Sequence, residues 1–311
     1  MIKRTLYFGN PAYLSMRLGQ LVIKVPEDDD DLPPSDESVI NNRIKTIPIE
    51  DVGIVVLDNK QITITQGLLE ALIDNNCAII SCGSNHLPIG LMLPLYGNTI
   101  QNERFRQQID ASLPLKKQLW QQTIQIKISN QASVLKLITG EEHNNMRIWA
   151  KSVRSGDPDN LEARAAAYYW KNFFPENDDF IRGKDEDDPN GLFNYGYAVL
   201  RAVIARALVG SGILPTLGIH HHNRYNAYCL ADDIMEPYRP YVDFIVYNIV
   251  KKNGSGELTK AAKKELLSIP VTEVNINGKR SPLMVAASAT SASLAKCFNG
   301  EIRKIIYPEI M

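Results

Sequence analysis

The 311-residue chain is 44% hydrophobic and 22% charged, the composition of a soluble globular protein with two domains or one large one. No apolar run approaches the roughly 20 residues of a membrane helix. The start, MIKRTLYFGNPAYL, lacks the apolar stretch of a signal peptide, so a cytoplasmic location with no membrane partner is expected. The net charge of -1 averages unlike parts. Two acidic runs, Glu27–Glu37 and Glu176–Asp188, hold fourteen of the 35 acids and two of the 34 Lys/Arg. The remainder carries about +11, enough to contact phosphates.

In chain order, Lys3–Phe8, Leu21–Val25, Val52–Leu57 and Gln61–Thr65 read as short strands, rich in β-branched or aromatic residues. The acidic segment Pro26–Glu37 reads as a loop. Gly67–Asn76 has helical spacing, Cys77–Cys82 reads as a buried strand, and His86–Leu95 as a strand weakened by Pro88 and Pro94. Beyond Asn102 the pattern turns helical: Gln107–Ser129, Val134–Lys151, Leu161–Phe174, Leu192–Val209 and Tyr228–Met235. Gly97-Asn98 marks the boundary. The expected fold is α+β, a small β-rich N-terminal domain (1–96) followed by a larger all-α C-terminal domain (97–311). Cys77, Cys82, Cys229 and Cys297 fit no zinc spacing and read as free, mostly buried thiols.

Three segments carry candidate chemistry. In DPDNLEARAAAYYWKNFFP, Asp159 or Asn160 can cap a helix that Pro175 closes. Glu162 then shares a face with Ala166, Tyr169 and Phe173, where an unpaired carboxylate is expensive to bury; the plain alternative is a first-turn glutamate favoured by the helix dipole. In GILPTLGIHHHNRYNAY, His220, His221 and His222 are adjacent, so at most one or two share a site, and the plain alternative is a loop that happens to carry histidines. In LADDIMEPYRPYVD, Asp232 and Glu236 are i, i+4, Asp233 and Glu236 are i, i+3, and either pair shares a helical face. Pro237 and Pro240 then end the helix. The plain alternative is a solvent-facing acidic turn paired with Arg239. Together these segments supply a glutamate, a histidine and one or two acids, an oxygen-rich set suited to Mg²⁺ or Mn²⁺ acting on a phosphodiester. Neither a Walker-type phosphate loop nor a nucleophilic-serine elbow occurs.

The blocks Glu162-Ala163-Arg164-Ala165-Ala166, Asn194-Tyr195-Gly196-Tyr197, Gly218-Ile219-His220-His221 and Asp233-Ile234-Met235-Glu236-Pro237-Tyr238-Arg239-Pro240 resemble, in this order, the CRISPR-associated integrase-endonuclease family, the protein numbered one in the Cas series. The likeness covers nearly the whole chain and is greatest to members from type II systems. It implies catalytic metal ligands at Glu162, His221 and Glu236, with Asp233 a further acid lining the site and Asn194, Tyr195 and Tyr197 holding helices around it. It also implies a homodimer, with the N-terminal domain in dimer and partner contacts. Two such dimers would join the small second protein of the Cas series in a heterohexamer. That assembly would hold double-stranded DNA and insert a captured spacer into a CRISPR repeat by attack of its 3′-OH. The type II likeness adds the RNA-guided effector nuclease to the candidate partners. The competing readings are a metal-dependent endonuclease of branched or single-stranded DNA without a joining role, and a non-catalytic scaffold.

Overall fold

The run VGIVVL at Val52–Leu57 is buried along almost its whole length, as a strand covered on both faces must be. A computed structural model describes residues 3–26, 44–176, 180–183 and 188–311. The chain divides into two compact units, Met1–Leu95 and Tyr96–Met311.

Among the described residues the first unit holds eight strands: β1 (Arg4–Phe8), β2 (Ala12–Arg17), β3 (Gln20–Lys24), β4 (Ile44–Pro48), β5 (Val52–Leu57), β6 (Ile62–Ile64), β7 (Ala78–Cys82) and β8 (Pro88–Met92), with helix α1 at Gln66–Asp74. One sheet runs β1-β5-β7-β8 and the other β4-β3-β2-β6. Leu14, Leu21, Val52, Val55, Leu68, Leu72 and Cys77 form a core between them. Strands β2 and β4 escape the sequence reading because AYLSMR and IKTIP carry exposed polar residues. The predicted loop Pro26–Glu37 lies almost wholly outside the described residues, as do parts of the second acidic run.

The second unit contains α2 (Gln101–Ile109), α3 (Leu113–Thr139), α4 (Asn144–Ser152), α5 (Leu161–Phe173), α6 (Asn190–Gly210), α7 (Cys229–Met235), a 3-10 turn at Glu236–Tyr238, α8 (Arg239–Asn253), α9 (Lys260–Leu266) and α10 (Leu283–Phe298). It is mostly helical rather than all-α: β9 (Glu273–Ile276) and β10 (Lys279–Pro282) form an antiparallel hairpin. The predicted break between Ser129 and Val134 is absent. Helix α3 runs straight through it, starting at Ser112, whose hydroxyl accepts the Leu115 N–H, and ending at Gly140 with φ of 77°. Pro237 and Pro240 do not end the helical path. They open the turn and sit in the first turn of α8, where the missing N–H costs nothing.

By length and composition α6 is apolar enough to cross a membrane, against the sequence expectation, but 78% of that stretch is buried within the unit. It packs against α7, α8, α9 and α10, while α3 packs against α4, α5, α8 and the Glu236 turn. The chain's last described segment returns to α3. Asn130 donates to the carbonyls of Pro237 and Pro308 (2.8 and 3.1 Å) and accepts the Ile310 N–H at 2.9 Å, and Ser133 donates to the Ile310 carbonyl at 2.8 Å. All four cysteines are free, three of them buried.

Candidate metal centre

Glu162 opens α5, and the acid that caps its backbone is neither Asp159 nor Asn160. The Asp157 carboxylate accepts the N–H groups of Leu161 and Glu162, both at 2.9 Å. Asn160 takes a left-handed backbone, and Asp159 pairs with Arg154. Glu236 comes from the 3-10 turn between α7 and α8 and is 4% exposed. Lys127 on α3 joins the two glutamates. Its Nζ donates to Glu162 Oε1 at 2.6 Å and lies 2.6 Å from Glu236 Oε2. Arg239 approaches the other Glu236 oxygen at 3.1 Å.

Burial works to raise the Glu236 carboxyl, but Arg239 and Lys127 outweigh it and hold its pKa below the usual value. For Lys127 burial works downward, and the two glutamates reverse it. Glu236 Oε2 is buried, and the Lys127 ammonium lies close to it, held as an ion pair rather than along a lone pair.

His221 is oriented from behind. Its Nδ1 shares a hydrogen bond with Asp233 Oδ1. Asp233, fully buried, also accepts the N–H groups of His220 at 2.9 Å and His221 at 3.3 Å. With Nδ1 engaged, Nε2 is the nitrogen left for a cation. The hydrogen bond to Asp233 raises the His221 pKa. Gly218 makes the turn possible, because a Cβ there would stand 2.3 Å from the His221 carbonyl oxygen and 2.8 Å from Asp233 Oδ2. Trp120 of α3 backs the loop: the His220 ring stacks on it at 4.1 Å and His221 meets its edge at 5.5 Å. Burial lowers the His220 pKa, and His222 is exposed.

The structure therefore brings Glu162 and Glu236 to one lysine and sets His221 on Asp233 within electrostatic reach of both glutamates. Asp232 turns elsewhere, to Arg201 at 2.6 Å and Asn226 at 2.7 Å. The acidic turn is buried rather than solvent-facing, although its pairing with Arg239 exists. Tyr197 ties two helices together, donating to Asp243 of α8 at 2.5 Å, whereas Asn194 accepts from Arg182 at 2.9 Å, in the non-helical stretch before α6. The sequence reading passed over Lys127 and Trp120. The available signal was a lysine on the stripe of Trp120, Ile124 and Ile128, where a charge needs a partner. Among the described residues no three of His, Cys, Asp and Glu stand close enough together to hold a cation. The donor set nonetheless fits one, with two carboxylates that face a single cation, Lys127, and an imidazole pinned through its far nitrogen.

Residues 6–267 match the family model described as CRISPR associated protein Cas1. The chain is 34% identical, over 315 aligned positions, to the CRISPR-associated endonuclease Cas1 of Neisseria meningitidis serogroup C (strain 8013), covering 100% of this chain and 97% of that one. Its fold is similar to a casposase bound to integration product, with a TM-score of 0.77 at 18% identity over 98% of this chain and 92% of that one. It is also similar to a chain of a Cas6-RT-Cas1–Cas2 complex, with a TM-score of 0.71 at 17% identity over 97% of this chain and 35% of that one. With a family model matching most of its length and a full-length relative at this identity, the chain belongs to the Cas1 family of CRISPR-associated proteins.

Proposed function

We propose that the chain is a Mg²⁺- or Mn²⁺-dependent DNA integrase that inserts captured spacer DNA into a CRISPR array, joining the spacer's 3′-OH to a repeat phosphate. The observation that carries this reading is the convergence of Glu162 and Glu236 on one point, beside a histidine that Asp233 orients. A divalent cation there lowers the cost of an oxygen nucleophile and neutralises charge on the phosphate. Glu162, Glu236 and the Nε2 of His221 would hold it. Asp233 keeps the imidazole turned outward, Arg239 keeps Glu236 ionised, and Trp120 limits the motion of the histidine loop. The same residues serve hydrolysis if water replaces the 3′-OH, so positioning of the DNA end separates joining from cutting. The endonuclease name of the Neisseria relative, the integration product bound by the casposase and the Cas2 in the neighbouring complex support DNA as substrate and a Cas2 protein as partner. The protein works as a homodimer in the cytoplasm, through its N-terminal unit, within a heterohexamer.

The test compares two duplex donors, one ending in 3′-OH and one in 3′-deoxy nucleotides, with repeat DNA, Mg²⁺ and the partner. Joined product is expected from the first donor only, and from neither in Glu162→Ala, His221→Ala or Glu236→Ala, whereas His222→Ala stays near wild type. Equal target cleavage with both donors and no joined species would leave a plain endonuclease.

A further inference from the structure

Lys127 stands where a bridging cation would stand. Its ammonium is 2.6 Å from one oxygen of Glu162 and 2.6 Å from one oxygen of Glu236, so those oxygens are no more than twice that distance apart. Magnesium binds carboxylate oxygens at about 2.0–2.1 Å, so an ion shared by both glutamates occupies nearly the same point as the ammonium. The two cations exclude each other by contact and by charge. The balance of charge agrees. Lys127 and Arg239 already match Glu162 and Glu236, and a divalent ion added beside them would leave an uncompensated positive charge even with the Asp233 carboxylate counted, a costly state.

Lys127 also has no need to be a lysine for packing, since its neighbours along the stripe are Trp120, Ile124 and Ile128 and its own residue is 8% exposed. Its stem is long and unbranched, and its ammonium is a point charge that can swing. The Glu162 side chain, 23% exposed, marks the side of the pair open to solvent.

Resting on the metal reading of this site, we propose that Lys127 is a placeholder cation: it holds Glu162 and Glu236 together in the metal-free protein and withdraws toward the open side when a divalent cation bridges them. Glutamates on two elements are thereby kept from repelling each other before loading, and metal affinity of the bare protein is kept low. Once withdrawn, the ammonium is free to meet a phosphate of bound DNA, which would restore the balance of charge.

Mn²⁺ alone, titrated calorimetrically into the full chain, tests this on wild type, Lys127→Met, Lys127→Gln and Glu236→Gln, with thermal midpoints in chelator and in saturating Mn²⁺. Loss of the competing charge should tighten Mn²⁺ binding by about tenfold or more in Lys127→Met and Lys127→Gln. Both variants should melt lower than wild type in chelator and gain more from Mn²⁺. In unmodified protein, acetylation of Lys127, read by mass spectrometry, should quicken severalfold on adding Mg²⁺. That measurement stands even where a substituted chain does not fold. If wild type binds Mn²⁺ and Glu236→Gln loses it, while the lysine variants bind as wild type does or Lys127 acetylation ignores Mg²⁺, the metal site stands and the placeholder is overturned. If wild type, Glu236→Gln and the lysine variants all bind Mn²⁺ alike, or none binds it, the metal reading falls and this inference with it.

Discussion

Asp243 shows how a single buried carboxyl ties stability to pH. Tyr197 and Tyr169 donate to its two oxygens at 2.5 and 3.0 Å. Burial nevertheless dominates and pushes its pKa up to about 7, against the pull of the tyrosines, Arg239 and Arg182. An unfolded chain releases that proton near pH 4. The folded protein therefore holds a proton that the unfolded chain has lost, and the associated stability is present in full below about pH 4 and lost as pH rises through about 7. Wild type should lose on the order of 2–4 kcal/mol across that window from this group alone. Asp243→Asn should lose much less, measured as urea midpoints at pH 5 and pH 8; equal losses in the two proteins would place the pH sensitivity elsewhere. Legibility at this scale divides by how local the cause is. Glu162, His221 and Glu236 were readable because each stands in a short motif. Lys127 was not, because what makes it notable is a glutamate 35 residues away and a second one in another element, and no spacing rule reaches that far.

Among the elements, the loop from Gly218 to His222 depends most on one residue. It wraps two backbone N–H groups around the Asp233 carboxylate, and a Cβ at 218 would collide with the His221 carbonyl, which cannot move without turning the ring. Gly218→Ala should therefore cut strand joining at least as deeply as Asp233→Asn, while the thermal midpoint shifts by only a few degrees. An unchanged joining rate would mean that the loop tolerates the displacement. Helices whose apolar residues recur at helical spacing, α5, α6 and α7, were legible to within two residues at each end. The middle of α3 was not. Asn130 and Ser133 look like a break in the sequence but are buried acceptors and donors for a distant segment. Prolines misled for a similar reason: at 237 and 240 they begin elements, and only the position of the neighbouring turn tells a start from a stop.

Over the whole molecule, charge decides what the protein can hold. Outside the two acidic runs the chain carries about +11, and contacts of Lys and Arg with phosphates release counterions. Affinity for duplex DNA should fall by about an order of magnitude or more between roughly 50 and 200 mM salt, and should survive Glu162→Ala and Glu236→Ala. Binding that stays flat over that range would mean an interface led by something other than backbone phosphate. The division into a β-rich and a mostly helical unit was visible from the change in periodicity, whereas the β9–β10 hairpin was passed over although its signals are local: Val274 and Ile276 alternate with polar residues, and Asn277-Gly278, both at positive φ, make the two-residue turn. One long-range tie bears on how the protein is made. Asn130 holds together the carbonyl of Pro237, next to Glu236, and that of Pro308, and its oxygen takes the Ile310 N–H. During synthesis the segments carrying Glu162, His221 and Glu236 leave the ribosome before residues 305–310 exist. Until that segment arrives, Asn130 has only the Pro237 carbonyl of its three partners, so an unfinished chain carries every residue of the centre before the bonds that fix Asn130 beside the Glu236 turn are complete.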